Sequence, residues 1–85
     1  MYYVYVLESF KVKGRLYIGY TTDLKTRMKK HNASEVFSTK PYVPWKLIFY
    51  EAYLKSSDAK RREIYLKTAK GRTTLKTMLK DYFAT

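Results

Sequence analysis

Residues 2–8, Tyr-Tyr-Val-Tyr-Val-Leu-Glu, are β-branched or aromatic at odd and even positions alike. That is the pattern of a central strand covered on both faces. A polar connection with Lys11, Lys13 and Gly14 leads to a second strand over Arg15 to Tyr20, and the two predict an antiparallel hairpin. A register centred on residue 11 sets Tyr5 opposite Tyr17 on one face. Thr22 then offers an N-cap and Asp23 complements a helix N-terminus, so the spacing predicts a helix over about residues 23–31. Arg27 and His31 share the stripe of Leu24 and Met28 on this helix, so both polar groups lean toward the sheet.

Residues 32–44 lack periodicity and hold both prolines, which predicts a long loop containing Lys40. A third strand follows over Trp45 to Leu54, with Trp45, Leu47, Phe49, Glu51 and Tyr53 on one side and Ile48, Tyr50 and Ala52 on the other. Ser56, Ser57 and Asp58 open a second helix running to about Ala69, with Glu63 on the apolar stripe of Ala59 and Leu66. Gly71 reads as a break. Thr73 or Thr74 opens a last helix that packs Leu75, Met78, Leu79 and Tyr82 on the core. The order of elements describes a single α+β domain over residues 1–85, without repeats or linkers.

Composition supports a folded chain with a small core. Hydrophobic residues make up 46 % and aromatics 18 %, against three glycines and two prolines, which is not the profile of a disordered segment. Cysteine is absent, which excludes disulfides, thiolate metal sites and cysteine nucleophiles. The first residues alternate and meet Glu8 at once, so they read as a strand and not as a signal peptide, and no apolar run is long enough for a membrane helix. A cytoplasmic protein with no membrane partner is expected, a monomer or weak dimer.

Charge adds the class of partner. Eighteen Lys and Arg against seven Asp and Glu give a net charge of +11, which draws polyanions. Nucleic acid is the expected partner, DNA first and RNA second, with Arg27, Lys40 and Arg62 as backbone contacts.

Hydrolysis of a phosphodiester needs an activated nucleophile, positive charge on the phosphate and help for the leaving oxygen. Glu63 is a carboxylate able to hold one Mg²⁺ or Mn²⁺, with waters and phosphate oxygens completing the shell. Arg27 can meet a phosphate bidentately. Tyr5 can take a proton from water if its phenol ionises, with Tyr17 and His31 orienting water or phosphate. Each residue also has an ordinary structural role: strand tyrosines fill half-buried pleats, helical arginines snorkel, and Glu63 has Lys60 and Lys67 within pairing distance along its helix.

In order, Tyr3-Val4-Tyr5, Tyr17-Ile18-Gly19, Thr21-Thr22-Asp23-Leu24 leading to Arg27 and His31-Asn32, and Arg61-Arg62-Glu63 resemble the GIY-YIG nuclease superfamily. The resemblance is to its small stand-alone bacterial members, related to the N-terminal domain of the excision-repair nuclease. It implies a three-stranded antiparallel sheet flanked by helices. It further implies Tyr5 as general base, Tyr17 as the second motif tyrosine, Gly19 as the glycine that keeps backbone near the site, Arg27 as the phosphate-binding arginine, His31 as a supporting residue and Glu63 as ligand of a single divalent metal. Tyr3 stands where the first glycine of the motif would be, and Tyr20 where excision-nuclease relatives carry a lysine. No asparagine follows Glu63, so the homing-type substrate mode is not expected.

The expectation is therefore a metal-dependent endonuclease acting on DNA, with a role in DNA repair, low sequence specificity, and a structure or lesion preference or a protein partner that supplies specificity. The rival expectation is an accessory module that binds nucleic acid with little or no catalysis.

Overall fold

The computed structural model describes residues 1–84. Three antiparallel strands, β1 (Tyr2–Ser9), β2 (Leu16–Thr21) and β3 (Trp45–Tyr53), form one sheet in the order β2-β1-β3. The α+β architecture and the three-stranded antiparallel sheet agree with the expectation. Helix α1 (Leu24–Asn32) follows β2, and α2 (Ser56–Leu66), α3 (Ala69–Met78) and the short α4 (Lys80–Phe83) follow β3.

β1 is central, and its double-sided apolar pattern has a direct cause: Val4, Tyr5, Val6 and Leu7 are all fully buried. Val4 and Val6 face one core with Ile18, Ala59, Leu66 and Leu75, which α2 and α3 cover. Tyr5 and Leu7 face a second core with Trp45, against which Tyr17, Leu24, Met28 and Leu47 pack. The second core lies beneath α1.

The hairpin register differs from the expected one by two residues. Tyr5 pairs with Gly19, and Leu7 with Tyr17. The Ser9 hydroxyl accepts from the backbone N–H of Lys11 and Val12, and Gly14 takes a positive φ of 84° with its N–H bonded to Glu8 Oε2. These contacts centre the turn one residue later, and Ser9 N–H bonds Arg15 O at 3.0 Å. A shift of two preserves facing, so Tyr5 and Tyr17 still share a face as diagonal neighbours, with ring centroids 6.2 Å apart.

The expected facing of β3 holds for only part of the strand. Pairing with β1 slips between Val6 and Leu7, so that Val6 meets Phe49 and Leu7 meets Leu47. The extra residue, Ile48, is a β-bulge, and a bulge reverses alternation. Trp45 and Leu47 therefore pack with Tyr5, whereas Phe49 and Tyr53 pack in the α2 core.

Three helix boundaries also differ. Asp23, not Thr22, caps α1, accepting from Thr26 N–H at 3.1 Å. The second helix ends at Leu66 and a new one begins at Ala69, capped by Thr68, whose hydroxyl accepts from Gly71 N–H at 3.0 Å. Gly71 thus lies inside α3 and breaks nothing. It is buried, and a Cβ there would overlap the Tyr65 carbonyl and come within 2.6 Å of Leu66 Cα, so its role is close helix packing. Leu75 and Leu79 join the core as expected, but Met78 is 43 % exposed.

The segment 32–44 carries a 3-10 turn over Lys40–Tyr42 and is pinned to the sheet at both ends. Asn32 brackets the backbone of Trp45, accepting from its N–H at 2.7 Å and donating to its carbonyl at 3.1 Å. Ser9 donates to the Tyr42 carbonyl at 2.7 Å. Among the described residues no helix is long and apolar enough to cross a membrane.

Candidate active site

Strand β1 delivers Tyr5 to the face beneath α1, and the register puts Gly19 directly opposite. Without a side chain at Gly19 the ring can lie across the neighbouring strand. A Cβ there would stand 2.5 Å from both Cζ and Oη of Tyr5, well inside van der Waals contact. The glycine is a space requirement for the phenol.

Helix α1 delivers His31 from the other side. Its Nε2 is 2.7 Å from Tyr5 Oη, and its Nδ1 is 2.8 Å from Thr39 Oγ1. Thr39 donates its own proton to the Val36 carbonyl at 3.3 Å, which leaves the Thr39 oxygen to accept. The arrangement satisfying all three bonds has Nδ1–H donating to Thr39 and Nε2 accepting from the Tyr5 hydroxyl. Tyr5, His31 and Thr39 are each 0 % exposed, so these bonds form in a region of low dielectric, where they are strong and their loss is costly. Trp45 locks the loop from behind by donating Nε1–H to the Thr39 carbonyl at 2.9 Å.

Tyr17 is half-buried beside this chain, its ring centroid 5.0 Å from that of His31 and at a 62° interplanar angle. Arg27, one turn before His31, is also half-buried. Burial pushes the Tyr5 phenol well above the ordinary tyrosine range and the Tyr17 phenol adds to the rise. The Arg27 guanidinium pulls it back by charge and hydrogen bonding, and Glu63 adds a smaller upward push. Burial, then the charge of Arg27, lowers the His31 imidazole to about 4. At neutral pH the phenol is therefore protonated and the imidazole neutral. Those are the protonation states the hydrogen-bond directions require.

Glu63 lies on α2, half-buried, and its Oε2 accepts from Lys67 Nζ at 3.0 Å, the pairing along the helix that its spacing allowed. Among the described residues no three His, Cys, Asp or Glu side chains gather where a metal could be held. Glu63 is a single hard carboxylate, which fits an ion such as Mg²⁺ that keeps most of its waters and does not fit an all-protein cage.

The structure thus brings Tyr5, Tyr17, Arg27 and His31 together, with Glu63 in electrostatic reach. The two other basic residues expected to meet nucleic acid fare differently. Lys40 is exposed at the start of the 3-10 turn, where a backbone contact would need it to be. Arg62 is instead committed to Glu51, with Nε to Oε1 at 2.9 Å and Nη2 to Oε2 at 3.2 Å. Glu51 also accepts from Tyr53 at 2.6 Å. The bidentate pair occupies the guanidinium, so a nucleic-acid contact through Arg62 would compete with Glu51.

Thr39, Trp45 and Asn32 complete the surroundings of His31 and were not among the expected site residues. A threonine in an aperiodic loop carries no signal of its own, because the contact with His31 spans eight residues and depends on how the loop folds back. Asn32 was visible only as the neighbour of His31.

Comparison with known proteins agrees with the geometry. The family model of the GIY-YIG catalytic domain matches residues 1–76. A UPF0213 protein of Streptococcus agalactiae is 41 % identical over 66 residues, covering 76 % of this chain and 73 % of the relative. One from Streptococcus pyogenes is 40 % identical over 72 residues, covering 84 % and 76 %. The solution NMR structure of a UPF0213 protein from Bacillus halodurans superposes with a TM-score of 0.56 at 32 % identity, over 92 % of this chain and 85 % of that one. With the family model spanning most of its length and its motif tyrosines converging on one buried imidazole, the chain belongs to the GIY-YIG nuclease family.

Proposed function

We propose that this protein is a divalent-metal-dependent endonuclease that hydrolyses phosphodiester bonds in DNA, with low sequence specificity and a preference set by DNA structure or damage. The observation that carries this reading is the buried bond from Tyr5 to His31, formed where the charge of Arg27 acts on both groups. A buried phenol needs an acceptor, and a backbone carbonyl would satisfy it without offering a basic nitrogen. Here the phenolic proton already points at a base.

The residues divide the chemistry between them. Arg27 offers a planar pair of N–H donors to the scissile phosphate and offsets the charge that grows on it. Once substrate binding opens a path to the Tyr5 hydroxyl, which is fully buried in the resting protein, the phenol takes the proton of the attacking water while passing its own to His31 Nε2, and Thr39 holds the imidazole in the tautomer that leaves Nε2 free to accept. The pKa shifts make complete ionisation of Tyr5 in the resting protein strongly unfavourable, so the phenol hands on a proton as attack proceeds. An arriving phosphate is an anion that counters Arg27 and raises the basicity of His31. Glu63 is the residue that would hold the ion, which when bound supplies positive charge to the phosphate and its leaving oxygen. Lys40 and the other exposed lysines contribute sequence-independent attraction to the backbone.

The test incubates the wild type and Glu63→Gln with supercoiled plasmid and with branched DNA in Mg²⁺ or Mn²⁺, with an EDTA control. Metal-dependent nicking that disappears in Glu63→Gln, with DNA affinity unchanged, is the expected result. Binding without cutting in both proteins would replace this reading with that of a nucleic-acid accessory module.

A further inference from the structure

On the other flank of α1 lies a groove that the phosphodiester chemistry does not use. It has a volume of about 690 Å³ and lies between the first turns of α1 and the β1–β3 half of the sheet, within the roughly 300–1,000 Å³ range of small-molecule sites. Leu24, Met28 and Leu47 form an apolar floor, and Tyr3 and Tyr50 form one wall. The two tyrosine rings meet edge to face with centroids 6.1 Å apart, and Tyr50 remains 53 % exposed. A large aromatic left half in water, beside an apolar floor, offers a flat surface for stacking.

The opposite rim is cationic. Lys25 and Lys29 line it, one helical turn apart on α1, and both are exposed. Asp23, the acid that also lines the groove, is spent on the N-cap, its carboxylate accepting from both the N–H and the hydroxyl of Thr26. An aromatic wall facing a lysine rim matches a planar base attached to an anionic backbone. A folded peptide or a lipid surface would not call for both.

The groove also has a fixed relation to the candidate active site. Tyr50 is the β3 partner of Tyr5 in the sheet, and Tyr3 lies two residues before Tyr5 on the same face of β1. Arg27 shares α1 with Lys25 and Lys29. Strand spacing and rise place the backbones of Tyr50 and Tyr3 about 5–7 Å from that of Tyr5, a distance that a nucleotide of unpaired strand can cross.

We propose that this groove binds an unpaired nucleotide of the substrate, next to the phosphate that is cut, by stacking the base on Tyr50 and Tyr3 and holding its phosphates on Lys25 and Lys29. The proposal rests on the nuclease reading and deepens it. Stacking on neighbouring pairs keeps both faces of a base occupied in a duplex, so the groove selects DNA with a flap, gap or splayed end. It thereby gives a physical source for structure preference within this domain.

The test measures affinity in EDTA for a blunt duplex and for the same duplex carrying a single-stranded flap with 2-aminopurine in the flap. Wild type, Tyr50→Ala and Tyr50→Trp are compared, and nicking of each substrate in Mg²⁺ is followed in parallel. Tyr50 is exposed, so its removal leaves the fold intact, which circular dichroism checks. The expected result is flap binding weakened about tenfold or more in Tyr50→Ala and restored in Tyr50→Trp. Duplex binding changes less than about twofold, and 2-aminopurine fluorescence is quenched in wild type and Tyr50→Trp only. Equal flap and duplex binding across all three proteins, with nicking intact, would overturn the groove proposal and leave the nuclease reading standing. A wild type that neither binds nor cuts DNA would overturn both.

Discussion

The Tyr5 phenol fills the space above Gly19 that a side chain would otherwise take, with Cζ and Oη each 2.5 Å from where a Cβ would stand. The second motif glycine is thus coupled to the first motif tyrosine through volume, across a register fixed by the hairpin turn. Tyr5 is fully buried and bonded to His31, so its ring has no open direction in which to move.

Gly19→Ala is therefore expected to destabilise the domain by about 1–3 kcal/mol, the usual cost of overpacking a filled core, and to abolish cleavage by displacing the phenol from His31. Urea denaturation and plasmid nicking check the two effects. A variant as stable and active as wild type would show that the ring yields and that the glycine has another role.

The depressed pKa of His31 makes stability depend on pH. Its imidazole binds a proton near 6.5 when unfolded and near 4 in the folded protein. Between those values the unfolded state holds more protons, so stability rises with pH. The contribution of neutral His31 is complete above about pH 7 and is lost as pH falls from 6.5 toward 4, on the order of 3 kcal/mol in all. Denaturation midpoints of wild type and His31→Gln over this window measure the difference. The variant is expected to give a flatter profile, and parallel curves would remove His31 from the account. The Glu8 carboxyl, held below its usual range first by its bond from Tyr82, adds an acid loss common to both proteins.

Thr39→Val keeps the shape of the side chain and removes the acceptor for His31 Nδ1–H. An unsatisfied buried donor costs about 1–3 kcal/mol, and the imidazole loses the bond that fixes its tautomer. Nitrogen NMR shifts of His31 are expected to show one tautomer, protonated at Nδ1, in wild type and Thr39→Ser, and a mixed or inverted population in Thr39→Val. Cleavage is expected to follow the tautomer, restored in the serine variant. A valine variant with the wild-type tautomer would mean that Tyr5 alone sets it.

Arg27 and Lys40 separate chemistry from attraction. Arg27→Ala is expected to lower the cleavage rate by about two to three orders of magnitude, the effect of losing one donor to developing charge. Lys40→Ala is expected to leave the rate on bound DNA unchanged and to reduce the dependence of log affinity on log salt by about one. Single-turnover cleavage and binding titrations at several salt concentrations distinguish these outcomes. An Arg27→Ala protein that cuts at the wild-type rate would remove the guanidinium from the site.

Much of the fold was legible because it rests on local periodicity. The two-sided apolar run of residues 2–8 determined a central strand, the stripe of Leu24, Met28 and His31 determined a helix leaning on the sheet, and Asp23 stood where a helix N-terminus benefits from a carboxylate. The order of motif tyrosines, arginine, histidine and glutamate determined the family. These signals need only neighbours within a few residues, and side-chain facing survives a register error of two.

Tertiary structure decided what depends on exact counts and distant partners. The bulge at Ile48 moved Phe49 and Tyr53 to the α2 core, because one extra residue reverses alternation. Gly71 became a packing residue inside α3 because the return of that helix onto Tyr65 and Leu66 leaves no room for a Cβ. Thr39 entered the site because its loop folds back on His31, and Arg62 is paired because β3 places Glu51 within reach of its guanidinium. Sequence determined which side chains were available for chemistry. Burial and geometry, which come from segments far apart in the chain, decided which of them share protons and which are spent on one another.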